Sequence, residues 1–191
     1  MRVMGDSTVL ADIPLTVNVA ATYANSLYAV SEANVQARFP HAKYGWCRID
    51  VTGALANSAD MLDVETGDAS PATANLWVQS WHTLKRTGLP VIYCNRGNES
   101  AVISACQSGG SVLGKDYGLC VATLDGTQAT GNGIVACQYQ GSAQTGGNWD
   151  TSVVYDASVW LPVSPSPVAP VSKAQALAAV STLSQFLSEA A

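Results

Sequence analysis

The feature that most narrows the fold of this chain is a change of rhythm near residue 110. Before it, strand-like apolar runs at residues 2–7, 17–23, 43–52, 61–67 and 89–95 are interleaved with helical patterns. After it, residues 118–124, 133–140 and 153–160 read as strands separated by Gly-, Thr- and Asn-rich turns with no room for helices. Ser31-Glu32 opens a first helix, which Pro40 stops. Ser70-Pro71 gives the next helix an N-cap and a first-turn proline, and its pattern runs through Leu76, Trp77, Val78, Trp81 and Leu84 to Gly88, with Lys85 and Arg86 in the last turn. Residues 98–107 form a third helix. Strand–helix alternation implies parallel strands with crossover helices, and ligands gather at the carboxyl ends of such strands. A closed barrel brings those ends round one mouth, whereas a doubly wound sheet does not.

Acidic residues sit at those ends. In Met61-Leu62-Asp63-Val64-Glu65, side chains alternate between faces, so Asp63 and Glu65 project together while Leu62 and Val64 pack behind them. Mutual repulsion should then separate the two ionisations and leave one carboxyl protonated, as glycosyl transfer to water requires. Asp6 closes the first strand, and Asp150 follows the seventh. Tyr139 and Trp149 lie near the expected mouth, where an aromatic face suits the apolar side of a pyranose.

Composition removes other classes of function. With 48% apolar and 12% charged residues, a chain of 191 residues can bury a substantial core, and its net charge of −5 repels nucleic acid and anionic membranes. No run approaches the ~20 apolar residues of a membrane span, and the N-terminus lacks the pattern of a secretion signal, so a protein made in the cytoplasm is expected. Five cysteines without a Cys-x-x-Cys indicate neither a zinc knuckle nor a disulfide framework, and two histidines, His41 and His82, are too few for a His-rich metal site. No metal or cofactor is expected. Gly131-Asn132-Gly133 precedes a strand rather than opening a helix, so it reads as a turn and not as a phosphate loop. Residues 162–171 are a stiff Pro-rich linker, and residues 172–191 carry a capping box and an apolar stripe at helical spacing. A lone helix of that length is marginal in water, so docking is expected, on its own barrel or on a neighbouring protein, and the linker's prolines, which hold it away, favour the neighbour.

Asp6-Ser7, Leu62-Asp63-Val64-Glu65, Val91-Ile92-Tyr93-Cys94-Asn95, Ala136-Cys137-Gln138-Tyr139 and Trp149-Asp150-Thr151-Ser152-Val153-Val154, in that order, resemble the family 25 glycoside hydrolases. The set is also similar to related glycoside-hydrolase-like domains of actinobacteria and phages. The resemblance implies an irregular α/β, TIM-like barrel over residues 1–161, with five β/α units followed by three strands, and muramidase activity on bacterial cell-wall peptidoglycan. On that reading Glu65 is the general acid, Asp63 orients or charge-stabilises the reacting sugar, Asp6 and Asp150 line the cleft and Tyr93 contacts substrate. Asp156 is the rival to Asp150. Two functions follow: a peptidoglycan hydrolase released by phage lysis or carried on a virion, or an inactive virion structural or binding protein anchored through residues 172–191.

Overall fold

The structure is a computed structural model that describes residues 2–40, 43–156 and 158–160. The linker expected over 162–171, the helix expected over 172–191 and His41 lie outside the described residues.

Eight strands close into one barrel in sequence order: β1 (Arg2–Asp6), β2 (Val19–Tyr23), β3 (Gly45–Asp50), β4 (Met61–Val64), β5 (Val91–Asn95), β6 (Gly118–Ala122), β7 (Ile134–Gln140) and β8 (Asp150–Val154). Strands β1 to β7 are parallel, and β8 returns antiparallel to both β7 and β1. The expected irregular α/β barrel is therefore present. Its helices are α1 (Glu32–Arg38), α2 (Pro71–Thr83), α3 (Glu99–Ser108) and a single turn, α4 (Ser142–Thr145).

Alternation along the strands sorts the side chains into two layers. Met4, Ala21, Cys47, Ile49, Met61, Cys120 and Ala136 fill the barrel, while Leu62, Val64, Ile92, Cys94, Leu119 and Val121 face outward under α2 and α3. Trp77 and Trp81 lie within this outer layer, 1% and 3% exposed, as core and not as a ligand platform. All five cysteines are free and buried, the thiols acting as small apolar fillers.

Capping follows the sequence. The Ser31 and Ser70 hydroxyls accept from the backbone N–H groups of Asn34 and Thr73, both at 3.3 Å. The end of α2 differs from expectation. The helix stops at Thr83, Lys85 takes a left-handed φ of 53°, and Arg86 turns back to pair with Asp60 at 3.0 Å over the face of Trp81. The last strand also differs: it spans Asp150–Val154 and not residues 153–160. It is an antiparallel strand, so its first residue, not its last, lies at the mouth.

Candidate active site

Three strands and one loop deliver four acids to the same place. Asp6 ends β1, Asp63 lies near the end of β4 with Glu65 just beyond it, and Asp150 begins β8. In the β1–β8 ladder Asp6 is paired directly with Asp150, and in the β4–β5 ladder Asp63 is beside Tyr93. Opposed residues of an antiparallel pair hold their Cβ atoms roughly 5 Å apart, so the two aspartates share one face. All four acids line a cavity of about 80 Å³ inside the mouth, together with Tyr23, Tyr93 and Gln138. A second space of about 440 Å³ opens outward from it, sharing Asp6, Tyr23 and Asp150 and continuing along Ser7, Thr8, Asp12 and Asn148.

The acids sit at two depths. Asp63 is 6% exposed and its Oδ1 has no hydrogen-bond donor. Burial, then the charges of Glu65, Asp68 and Asp6, push its carboxyl up to about 8. Asp6 is pushed up to about 7, first by withdrawal from water and then by Asp150 and Glu65. Glu65 is half-buried at the lip; burial raises it, while a hydrogen bond from Tyr93 holds it down. Asp150 is raised by burial against donors from Ser142 N–H and from Gln138 Nε2, the latter at 2.8 Å. The Tyr93 hydroxyl has one proton for two acceptors, Gln138 Oε1 and Glu65, and Gln138 Nε2 donates on to Asp150, so the tyrosine stands between Glu65 and the Gln138–Asp150 pair. Such a cluster favours the protonated form of its deepest carboxyls, Asp63 and Asp6, and shifts the shallower Glu65 and Asp150 in the same direction.

Of the residues singled out in the sequence, Asp6, Asp63, Glu65, Asp150 and Tyr93 come together. Tyr139 and Trp149 do not join them. Tyr139 packs outward against the layer beneath the helices, and Trp149 packs with Ile13 and Val17 on the outer side of Gly5. Asp156 follows β8 at the far end of the barrel, beside Leu89 and Gly133, where it accepts from Ser158 and caps a turn. Tyr23 and Gln138 line the cavity and were not singled out. Gln138 is one residue from Tyr139, and in a strand that single step exchanges inside for outside. Tyr23 carried a signal of its own, an aromatic at the carboxyl end of a parallel strand.

Among the described residues, no group of three or more His, Cys, Asp or Glu side chains is arranged to hold a metal ion, and no helix is long and apolar enough to cross a membrane. Comparison with protein-family models, with curated proteins and with solved structures finds no match.

Proposed function

We propose that this is a glycoside-hydrolase-like, phage-associated protein that acts on bacterial cell-wall peptidoglycan through the acids of the barrel mouth. One observation carries the reading: carboxyls from β1, β4 and β8 converge at graded depth, with a half-exposed Glu65 above a nearly sealed Asp63. Glycoside hydrolysis needs one carboxylic acid to protonate the leaving oxygen and another group to stabilise positive charge on the sugar. Glu65 is the acid, since it is raised and lies where a glycosidic oxygen can reach it. Asp63 orients the reacting sugar, and Asp150, which accepts from Gln138 and Ser142, carries negative charge beside it. Glu65 gives its proton to the leaving oxygen as the glycosidic bond breaks, and water bonds to the anomeric carbon while passing a proton to the Asp150 carboxylate. The glycan enters along the outer groove, whose volume is that of an ordinary ligand cleft, and its reacting end turns inward past Asp6 and Asp150 toward Glu65 and Asp63.

Turbidity clearing and muropeptide release from actinobacterial walls test this. The purified chain should release muropeptides, and Glu65→Gln should lower the rate by about 10²–10⁴-fold, the usual worth of a positioned general acid. If neither releases anything, hydrolysis is wrong.

A second reading, glycan binding without hydrolysis in a virion, draws on the small inner cavity and on the Tyr93–Gln138 contact that crosses it. Sedimentation of the protein with intact walls, with no soluble product, is its signature.

A further inference from the structure

The groove and the inner cavity form one connected space walled by Asp6, Tyr23 and Asp150, and its ionisable lining is one-sided. Asp6, Asp12, Asp63, Glu65 and Asp150 all face it, and among the described residues no Lys, Arg or His lines it. Arg38, which follows the strand-to-helix segment after β2, is committed to the carbonyls of Ala11 and Ile13 at 2.7 and 2.8 Å. Both ion pairs among the described residues lie elsewhere, around Asp60.

The unmet need at the floor is specific. Asp63 is more than nine-tenths buried, lines the cavity, and has one carboxyl oxygen with no donor. Buried polar atoms are nearly always paired, so this oxygen marks a place for an incoming donor. An ammonium, which brings a positive charge and several donors together, is a counter-group that suits such an oxygen among acids. At the rim, Tyr28 is half exposed and stands 6.1 Å from the ring of Tyr23, offering an apolar face beside the acids.

We infer that the mouth selects a glycan whose amine is free, an oligosaccharide of glucosamine type bearing an ammonium, over its N-acetylated counterpart. The inference rests on the glycan reading above and names the sugar that reading leaves open. An ammonium offers three donors and a compact positive charge to the carboxyls. Acetylation replaces them with one neutral amide donor and a methyl group, and removes the positive charge that the five acids would meet. Cation binding also favours the ionised carboxylates, so protons leave Asp6 and Asp63 as the ligand enters.

Calorimetric titration of the full chain at about pH 6 and low salt, with a fully deacetylated glucosamine tetramer and with the N-acetylglucosamine tetramer, tests it. The amino form should bind at least about tenfold more tightly, lose most of that advantage in roughly 0.3 M salt, and show a heat that varies with buffer as protons are released. Asp63→Asn and Asp12→Asn should each narrow the ratio; Asp12, at the groove rim, keeps the test open should the Asp63 variant fail to fold. Equal or tighter binding of the acetylated tetramer overturns the inference and leaves the glycan reading standing. Failure of both tetramers to bind while walls still yield muropeptides does the same, and failure of both with no release removes the glycan reading as well. Tetralysine, a cation without a sugar ring, should bind weakly; if it matches the amino tetramer, the selectivity is for charge alone and the inference falls.

Discussion

Asp50 and Asp63 end neighbouring strands of one barrel, and both are nearly removed from solvent, at 0% and 6% exposure. Their surroundings are opposite. Asp50 points outward beneath α2. Its Oδ1 accepts from Asn25 Nδ2 at 2.7 Å, Thr52 N at 2.9 Å, Thr52 Oγ1 at 3.0 Å and Gly53 N at 3.0 Å. Its Oδ2 accepts from Leu55 N at 2.6 Å and Trp77 Nε1 at 3.1 Å. These donors outweigh burial, so the carboxyl is held below its ordinary range and stays charged. Asp63 points inward with an oxygen that has no donor, and its carboxyl is pushed up to about 8. One acid is a rivet for a loop and a helix, and the other is kept reactive. Burial alone therefore says little about what an acid does. The count of donors separates structure from chemistry.

The largest expected effect comes from breaking the saturated side. Asp50→Ala strands several buried donors at once and frees loop 51–55 from α2, and should cost about 3–5 kcal/mol in urea unfolding. A loss below about 1 kcal/mol would mean that Asp50 is not what fastens the loop.

The opposite sign is expected at Asp63. A raised folded-state pKa means that the native protein holds a proton which the unfolded chain gives up near pH 4. Asp63 therefore contributes stability that is fully present in acid and is lost as pH rises from about 4 through about 8. Asp50, held low, behaves in reverse, its contribution being lost as pH falls below the ordinary carboxylate range. Asp63→Asn should gain on the wild type as pH rises from 5 to 8, by roughly 1.4 kcal/mol per pH unit at most, while wall hydrolysis is lost. Thermal melts from pH 4 to 8.5 at constant ionic strength check this. Parallel curves for the two proteins would show that Asp63 is ionised throughout.

A finer test asks how redundant the Asp50 donors are. Thr52→Val keeps the shape and removes one hydroxyl of the set. With the other donors intact, the cost should be roughly 0.5–1 kcal/mol. A loss as large as that of Asp50→Ala would place the weight on the hydroxyl and not on the set.

How much of this contrast could be read from residues alone differs between its halves. The Asp63–Glu65 face was legible because a strand's two-residue period is a local property: Leu62 and Val64 had to go outward, so the acids had to go inward. Asp6 was legible for the same reason at the end of β1. Asp50 was not, because its partners Asn25, Leu55 and Trp77 come from three separate segments, and nothing in Asp50-Val51-Thr52-Gly53 announces them. Trp149 misled because its neighbours Ile13 and Val17 are distant in sequence, and the gap that receives it exists only because residue 5 is glycine, where a Cβ would stand 3.2 Å from the indole. The start of β8 was hidden by a polar stretch, Gly146-Gly147-Asn148, that reads as turn up to the strand's first residue.

The smallest effect expected is also the most informative about chemistry. The single Tyr93 O–H is shared between Gln138 and Glu65, so it couples the lip acid to the Gln138–Asp150 side of the mouth. Tyr93→Phe leaves the ring packed in the barrel and removes only the hydroxyl, at a stability cost below about 1 kcal/mol. Because that hydrogen bond favours the charged form of Glu65, its removal raises the Glu65 pKa further. An acid catalyst with a higher pKa stays protonated to higher pH, so the alkaline limb of the kcat/KM profile should move upward. An upward shift of the acidic limb in its place would mean that Glu65 is needed in its charged form, and the acid role would then pass from Glu65 to the deeper Asp63. An unmoved limb with reduced rate would assign Tyr93 to substrate contact alone, and the contrast between the lip acid and the sealed acid would then rest on burial and charge without help from the tyrosine.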